Sequence, residues 1–281
     1  GCSTTASVNV NVHSLPPVNL QSSFLCAGSV TTLDAGPGSV SYYWTPTGDT
    51  TRTLSVSTGG TYAVTLTDAW GCTTTASATI NVGSSITINL GNVSFCQGDS
   101  ATLDAGYSGM NYQWSTGATT QAISVNTPGS YSVIVTDNSG CSGSIAVTAN
   151  VNPLPVVSFS ATSACLGSAT IFTNTSSIGS GSISSYSWNF GNGDTTLASN
   201  PSETYAAAGT YSVSLTATSV NGCTSSITQP VQVNPLPVAA FTAPGACAGS
   251  PTTFTDNSSV SSGNIVTYAW NFGDGNNSNA H

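Results

Sequence analysis

The chain has 281 residues, of which 38% are apolar and only 4% are charged, and its formal net charge is −9. The chain has ten acidic residues and a single base, Arg52, and lysine is absent. Because nucleic acids and anionic membranes are bound through patches of lysine and arginine, we expect neither as a partner. No apolar run comes near 18 residues, so we expect no direct membrane insertion.

Cysteines mark a repeated unit. The sequence GCSTTASVNVNV at residues 1–12 returns as GCTTTASATINV at 71–82. The cysteines that follow a glycine are Cys2, Cys72, Cys141 and Cys223, and each is followed after 24 residues by a second one: Cys26, Cys96, Cys165 and Cys247. The period of 69 to 82 residues predicts a tandem array whose repeats are each long enough to hold a small core.

Alternation of apolar and polar residues predicts strands along the chain. Clear examples are YAVTLTD at 62–68, YSVIVTD at 131–137 and YSVSLTA at 211–217. No segment has the apolar period of a helix, and Gly, Asn, Asp and Pro supply frequent turns. The predicted fold class is therefore all-β, a tandem array of small Ig-like antiparallel β-sandwiches with no significant helix.

Aromatic residues recur at fixed places within the repeats. Each tryptophan is expected on the third strand, and each tyrosine is expected to begin the sixth strand as a tyrosine corner. We interpret all of them as core residues rather than as a platform for a ligand. They are Trp44, Trp114, Trp188, Trp270, Tyr62, Tyr131 and Tyr211.

The later repeats resemble a known family. SYSWNFGNGD at 185–194, TYAWNFGDGN at 267–276 and AAAGTYSVSLTATSVNGC at 206–223 resemble the signature of polycystic-kidney-disease (PKD) domains. The earlier repeats read YYWTPTGDT and YQWSTGATTQ in the corresponding place and resemble the Ig-like repeats of Bacteroidota surface adhesins and gliding-motility proteins. We predict a truncated Ig-like tail at 1–15, Ig-like repeats at 16–84 and 85–152, a PKD repeat at 153–236, and the first half of a PKD repeat at 237–281.

This resemblance implies an extracellular protein at the cell surface, exported by type IX secretion. It implies a stalk or filament segment of a large adhesin, and its alternative is a carbohydrate-binding or spacer module of a secreted hydrolase. The implied partners are neighbouring repeats, other copies in a fibre, and surface glycans. Asp-Thr-Thr at 49–51 and 194–196 and Asp-Ser-Ala at 99–101 resemble the Bacteroidota O-glycosylation motif, so Thr50, Ser100 and Thr195 are candidate O-glycosylation sites.

Regularly phased cysteines in small domains are typical of disulfides in an oxidising compartment. Bridges within each repeat would join Cys26 to Cys72, Cys96 to Cys141 and Cys165 to Cys223. Counted from the predicted strand centres, however, Cys26 and Cys72 lie at opposite ends of a sandwich, about 30 Å apart at about 3.3 Å per residue. A disulfide requires Cα atoms roughly 4.4 to 6.8 Å apart.

Stacked repeats offer another pairing. The first turn of one sandwich would face the last hairpin of the next, which would join Cys26 to Cys141 and Cys96 to Cys223. Cys2, Cys72, Cys165 and Cys247 would then bond to partners outside residues 1–281. Both schemes stay open at this point, because strand register read from a sequence can slip by several residues.

The chain offers no recurring set of catalytic groups. Histidine occurs only at His13 and His281, no two cysteines have a C-x-x-C spacing, and most aspartates fall in turns. We therefore predict no enzyme, no metal site and no cofactor. Short proline-rich joints, HSLPPV at 13–18, VNPLPV at 151–156 and NPLPV at 234–238, are expected to be stiff spacers between repeats.

Overall fold

The computed structural model describes residues 1–38 and 41–280, and every regular element among them is a β-strand. The predicted fold class, a tandem array of small β-sandwiches without significant helix, is thereby confirmed. Within these ranges no helix is long and apolar enough to cross a membrane. His281 lies outside the described residues.

The chain forms two compact units. One contains residues 1–93 and 100–150, and the other contains residues 94–99 and 151–281. This division is coarser than the five predicted segments, because the first unit holds two repeats and the second holds a repeat, a partial repeat and one turn of the preceding repeat. The predicted boundaries between repeats stay predictions.

The first repeat is a sandwich of two sheets. Its strands are β1 (Ser23–Leu25), β2 (Thr31–Asp34), β3 (Ser41–Thr45), β4 (Thr53–Val56), β5 (Gly60–Thr67) and β6 (Thr73–Val82). One sheet has the order β1-β6-β5-β3, and the other pairs β2 with β4. Strand β1 runs parallel to β6, with Leu25 opposite Val82, so the first strand ends beside the end of the last strand.

The second repeat has the same arrangement. Its strands are β7 (Val93–Cys96), β8 (Ala101–Asp104), β9 (Asn111–Trp114), β10 (Ala122–Val125), β11 (Gly129–Thr136) and β12 (Ser142–Asn152). The sheets are β7-β12-β11-β9 and β10-β8.

In the third repeat the first strand is split in two. The strands are β13 (Phe159–Ala161), β14 (Ala164–Cys165), β15 (Thr170–Asn174), β16 (Ile183–Asn189), β17 (Thr195–Thr196), β18 (Ser202–Glu203), β19 (Gly209–Ser219) and β20 (Thr224–Asn234). The five-stranded sheet has the order β14-β20-β19-β16-β17, and the three-stranded sheet has the order β13-β15-β18. Again the first strand lies parallel to the last, with Cys165 opposite Asn234.

Residues 238–280 contain short strands only. These are β21 (Phe241–Thr242), which pairs with β22 (Thr255–Asp256), and β23 (Trp270–Asn271), which pairs with β24 (Asn277–Ser278).

The predicted core aromatics fall into two groups by burial. Trp44, Trp114 and Trp188 are at most 2% exposed, and Tyr62 is also buried. Trp270, Tyr131 and Tyr211 are half-buried. Each buried tryptophan lies on a strand whose alternate residues face the core, and its indole N–H donates to a backbone carbonyl, for example from Trp44 to Thr51 at 2.8 Å.

The tyrosines form corners, on the fifth strand of the first two repeats and on the expected sixth strand of the third repeat, where β13 and β14 count as one split strand. The hydroxyl of Tyr62 donates to the carbonyl of Thr58 at 3.0 Å, that of Tyr131 to Thr127 at 3.0 Å, and that of Tyr211 to Ala207 at 2.8 Å. Tyr62 is on β5, the fifth strand of its repeat rather than the sixth. The prediction was wrong by one strand because the segment between β3 and β5 contains a single strand, β4.

The single base of the chain stabilises a turn. The guanidinium of Arg52 donates to both carboxylate oxygens of Asp34, at 2.8 and 2.7 Å. The same carboxylate accepts the backbone N–H of Gly36 at 2.9 Å. In the second repeat an uncharged side chain takes the place of Arg52, since Asp104 accepts from the N–H of Gly106 and from the side-chain amide of Gln121.

These contacts predict a pH dependence. The Arg52 side chain, and then the Gly36 N–H, hold the pKa of Asp34 below its ordinary value. A carboxylate with a lowered folded pKa contributes stability that is present above its unfolded pKa of about 4 and is lost as the pH falls through the folded pKa. Arg52→Gln, which copies the second repeat, should raise the pKa of Asp34, as followed by NMR titration of the carboxyl carbon. An unchanged Asp34 titration in this variant would contradict the assignment.

Candidate functional site: the disulfide-bridged turns

Two disulfides connect successive repeats. Cys26 is bonded to Cys141 with a Cα separation of 5.4 Å, and Cys96 is bonded to Cys223 with a Cα separation of 5.6 Å. Both separations lie in the range that disulfides occupy. These are the partners of the stacked-repeat scheme, and among the described residues no bridge joins two cysteines of one repeat. The cysteines without a disulfide are Cys2, Cys72, Cys165 and Cys247.

One half of each bridge lies in the turn after the first strand. Beyond the parallel pairing of β1 with β6, the N–H of Gly83 donates to the carbonyl of Leu25 at 2.9 Å. The next residue, Cys26, opens a turn in which the N–H of Ser29 donates to the Cys26 carbonyl at 3.0 Å. Gly28 in this turn has φ +83°, a left-handed conformation that favours glycine.

This turn recurs as a short motif that the sequence analysis missed. It reads CAGS at 26–29, CQGD at 96–99, CLGS at 165–168 and CAGS at 247–250. In all four copies the N–H of the last residue donates to the carbonyl of the cysteine, at 2.9 to 3.0 Å. The repeated glycine two residues after the cysteine was the signal in the sequence.

The other half of each bridge lies in the hairpin between the last two strands. In the second repeat a carboxylate oxygen of Asp137 accepts the N–H groups of Ser139 at 2.8 Å and Cys141 at 2.9 Å. In the first repeat Asp68 makes the same contacts with Trp70 and Cys72. In the third repeat the hydroxyl of Ser219 accepts the N–H of Cys223 at 3.1 Å. The prediction that most aspartates fall in turns is confirmed for Asp68 and Asp137.

The bridges are partly shielded from solvent. Cys141 is 2% exposed and Cys223 is 1% exposed, whereas Cys26 and Cys96 are half-buried. Beside the first bridge a Cβ added to Gly83 would lie 2.7 Å from the ring of Phe24 and 3.3 Å from the sulfur of Cys141. The joint at Gly83 therefore has room for glycine only, unless the Phe24 ring shifts.

A second glycine of the same joint, Gly143, lies in close contact with the backbone of Ile86. At Gly143, on β12, an added Cβ would overlap the carbonyl oxygen of Ile86. The corresponding residues two positions after the other hairpin cysteines are Thr74 and Ser225. A glycine inside a strand often marks close approach of another backbone segment, and here it accommodates the segment that connects the first two repeats.

The two disulfides close segments of the chain that overlap. The bond from Cys26 closes 115 residues and the bond from Cys96 closes 127 residues. The two closed segments overlap between residues 96 and 141, so neither lies inside the other.

The remaining predicted site residues are all on the surface. Thr50, Ser100 and Thr195 are exposed, the first two in loops and the third on β17.

The indole of Trp70, 67% exposed, stacks on the imidazole of His13 with ring centroids 4.2 Å apart. Among the described residues, no group of three or more His, Cys, Asp or Glu side chains is placed to hold a metal ion.

Removal of one bridge should reduce stability. For closed segments of this length the loss of a disulfide should lower the free energy of unfolding by about 2 to 5 kcal/mol. We expect this loss for the double variant Cys26→Ala with Cys141→Ala, measured by urea denaturation. Cys72→Ala is the matched control, because it changes a hairpin cysteine without a bond. Equal losses in the two proteins would contradict a stabilising role of the bridge.

The close contact at Gly143 leads to a separate prediction. Gly143→Ala should lower the free energy of unfolding by about 1 to 3 kcal/mol, the usual cost of forcing extra atoms into a packed site. Gly91→Ala is the control, since an added Cβ there meets no atom within 4 Å. Thermal unfolding of both variants measures the difference, and a Gly143→Ala protein as stable as Gly91→Ala would refute the close approach.

Comparison with known proteins identifies the later repeats. The family model for the PKD domain matches residues 150–235 and 234–281. The pre-pro-metalloprotease PrtV of Vibrio cholerae is 39% identical over 105 residues, which are 36% of this chain and 11% of that protein. The chain thus spans about a tenth of that relative.

Solved PKD domains cover a similar part of the chain. The PKD1 domain of Vibrio anguillarum Epp is 38% identical, and the match covers 29% of this chain and 95% of that domain with a TM-score of 0.28. The PKD1 domain of Vibrio cholerae PrtV is 39% identical, with coverages of 28% and 96% and a TM-score of 0.27. Through its match to the family model, the chain carries PKD-domain repeats over residues 150–281.

Proposed function

We propose that this chain is a structural segment, a stalk or filament, of a large bacterial surface adhesin. The observation that carries the proposal is that each of the two disulfides joins a first-turn cysteine of one repeat to a hairpin cysteine of the next. A bond within a repeat would stabilise that repeat alone. A bond between repeats adds a second covalent connection at the joint, in addition to the linker peptide.

This second connection has a mechanical consequence. In an array joined only by linker peptides, tension passes through one backbone strand at each joint, and a repeat that unfolds releases its full length. Here the bonds from Cys26 and Cys96 close overlapping segments, so most of the chain between residues 26 and 223 cannot extend while both bonds are intact. The proposed role is therefore to transmit tension with little lengthening.

An extracellular location supports this role. Structural disulfides persist in oxidising compartments such as the cell exterior. The relative that is 39% identical over 105 residues is named a pre-pro-metalloprotease, and such a name fits an exported protein. The further assignments, a Bacteroidota origin, type IX secretion and attachment to the cell surface, rest on the resemblance of the earlier repeats and belong to the proposal.

O-glycosylation at Thr50, Ser100 and Thr195 is part of the same proposal. All three hydroxyl residues follow an aspartate and are exposed, which a modifying enzyme requires. The proposed partners are neighbouring repeats, other copies in a fibre, and surface glycans. Intact mass of the protein from its native source would equal the bare polypeptide if the glycosylation proposal is wrong.

The alternative is a spacer or carbohydrate-binding segment of a secreted hydrolase. The identity to a metalloprotease favours it, since that relative is a hydrolase that carries a PKD domain. Binding of the isolated chain to polysaccharides, measured by affinity electrophoresis, would favour this second role.

Single-molecule stretching tests the mechanical proposal. The chain is held at its two ends and extended with the disulfides intact, and then again after reduction. The oxidised chain should stop extending roughly 500 Å before the reduced chain, at about 3.4 Å per residue hidden behind the interlocked bonds. Equal extension of the two states would contradict a covalently reinforced segment, and the alternative role would then be preferred.

A further inference from the structure

The last strand of the third repeat, β20, is paired along most of its length on one side only. It pairs with β19 from Thr224 to Val233. On its other side β14 pairs with it at Val233 and Asn234 alone. Within the part of the chain that the structure describes, no further strand pairs with β20. The segment of β20 before Val233 is therefore an open edge of the five-stranded sheet.

Both ends of this open edge are fixed by contacts inside the chain. At the hairpin end, Cys223 is bonded to Cys96. At the opposite end, Ala164 of β14 lies beside Val233. The open segment lies between these two connected ends.

The register of the hairpin shows which backbone groups face the open side. The N–H of Ser219 donates to the carbonyl of Cys223 at 2.8 Å, so these two residues form a hydrogen-bonded pair. Hydrogen-bonded and non-hydrogen-bonded pairs alternate along an antiparallel ladder. The even-numbered residues of β20 therefore direct their backbone groups away from β19, and before Val233 these residues are Thr224, Ser226, Thr228, Pro230 and Gln232.

A proline at one of these positions fits the same assignment. Proline has no N–H, so it fits a strand where no ladder hydrogen bond is required from it. Pro230 lies opposite Ser212 in a non-hydrogen-bonded pair, and its missing donor faces the open side. Since Pro230 ends the stretch of available donors, the N–H groups left for a further strand are those of Thr224, Ser226 and Thr228. These three residues are exposed.

The sheet that ends in this edge is uncharged. None of the residues in β14, β16, β17, β19 and β20 is Asp, Glu, Lys, Arg or His. Natural edge strands are often protected from pairing by charged side chains, especially lysine, and this edge has none. Two copies of the chain, although each has a net charge of −9, therefore meet no local like-charge repulsion here.

The edge is also complementary to itself. In an antiparallel pair with Ser226 opposite Ser226 of a second copy, Thr224 lies opposite Thr228 of that copy. Each of these facing pairs exchanges two backbone hydrogen bonds. Cross-strand pairs of Thr and Ser add side-chain hydrogen bonds on the exposed face. Such a pair has two-fold symmetry, as the interfaces of most homodimers do.

We propose that the edge of β20 from Thr224 to Thr228 is a self-association site, to which the same edge of a second copy of the chain adds as an antiparallel strand. The two sheets then form one continuous sheet, and two chains are joined side by side. This inference rests on the proposed function, because it names the surface through which copies of the chain meet in a fibre.

The oligomeric state of the whole chain is the first test. Sedimentation equilibrium is measured from about 1 μM to about 1 mM, the range in which a weak association is populated. The free thiols are alkylated beforehand, so that no new disulfide joins two copies. We expect an equilibrium between monomer and dimer. A chain that stays monomeric over the whole range would overturn the proposal.

Substitutions at the centre of the edge locate the contact. Ser226→Pro removes the central outward N–H and leaves the hydrogen bonds to β19 in place, as Pro230 does further along the strand. Ser226→Lys places two like charges opposite each other. Each change should raise the dissociation constant of the dimer at least about tenfold, because edge pairing depends on free donors and on the absence of charge.

Ser187→Lys is the matched control. Ser187 is exposed and lies in the same cross-strand row, since it pairs with Thr216, which pairs with Ser226. It is on β16, however, and not on the edge. This variant has the same net charge as Ser226→Lys and should dimerise like the unsubstituted chain. Equal association of the two lysine variants would show that the copies meet elsewhere and would overturn the proposal.

An introduced cysteine tests the register. The Cα atoms of a hydrogen-bonded pair lie about 5.5 Å apart, within the range of a disulfide. In Ser226→Cys the two introduced thiols should therefore form a disulfide between copies. Oxidised glutathione accepts the two electrons and two protons and becomes two molecules of glutathione.

Thr224→Cys is the control for this reaction. In the proposed register the two introduced thiols of this variant are displaced by about 13 Å along the strands, at about 3.3 Å per residue. We expect about tenfold more cross-linked dimer from Ser226→Cys, because pairing raises the local concentration of its thiols. The linked peptides are identified by mass spectrometry, and equal yields from the two variants would overturn the proposal.

Failure of these tests is distinguishable from failure of the proposed function. The stretching experiment is made on single molecules and depends only on the bonds of Cys26 with Cys141 and of Cys96 with Cys223. A chain that stays monomeric would still show the restricted extension.

Discussion

The structure depends on one constraint, the meeting of a first-turn cysteine with the hairpin cysteine of the following repeat. The parallel pairing of β1 with β6 places Cys26 beside the end of the last strand of its own repeat. The aspartate-capped hairpin of the next repeat presents Cys141. A disulfide holds these two backbones within 5.4 Å.

The joint then limits which side chains its neighbours can have. Gly83 lies against the ring of Phe24 and the sulfur of Cys141, and Gly143 lies against the carbonyl of Ile86. Away from the joint the outward strand positions are filled mainly by Thr and Ser, which interact weakly, as between Thr65 and Thr75 at 3.2 Å. The stability of each small sandwich therefore depends on its buried hydrophobic core, and the connection between repeats depends on the bonds.

Much of this organisation could be predicted from the sequence. The alternation of apolar and polar residues indicates strands, and the regular spacing of the cysteines indicates repeats. The cross-joint pairing could be proposed from strand counting, which puts Cys26 and Cys72 at opposite ends of one sandwich. The strand that carries Tyr62 was predicted wrongly, since turn spacing does not show whether residues 45–59 form one strand or two. The roles of Gly83 and Gly143 could not be predicted, because they arise from contacts between segments distant in sequence. The stacking of Trp70 on His13 was missed for the same reason.

The central claim is that covalent bonds cross the joints between repeats. The most direct test is a disulfide map of the non-reduced protein by mass spectrometry, with a protease other than trypsin because Arg52 is the only tryptic site. The account predicts linked peptides that join Cys26 to Cys141 and Cys96 to Cys223. Peptides that join Cys26 to Cys72 and Cys96 to Cys141 would contradict it and would show repeats that are each closed by their own bond.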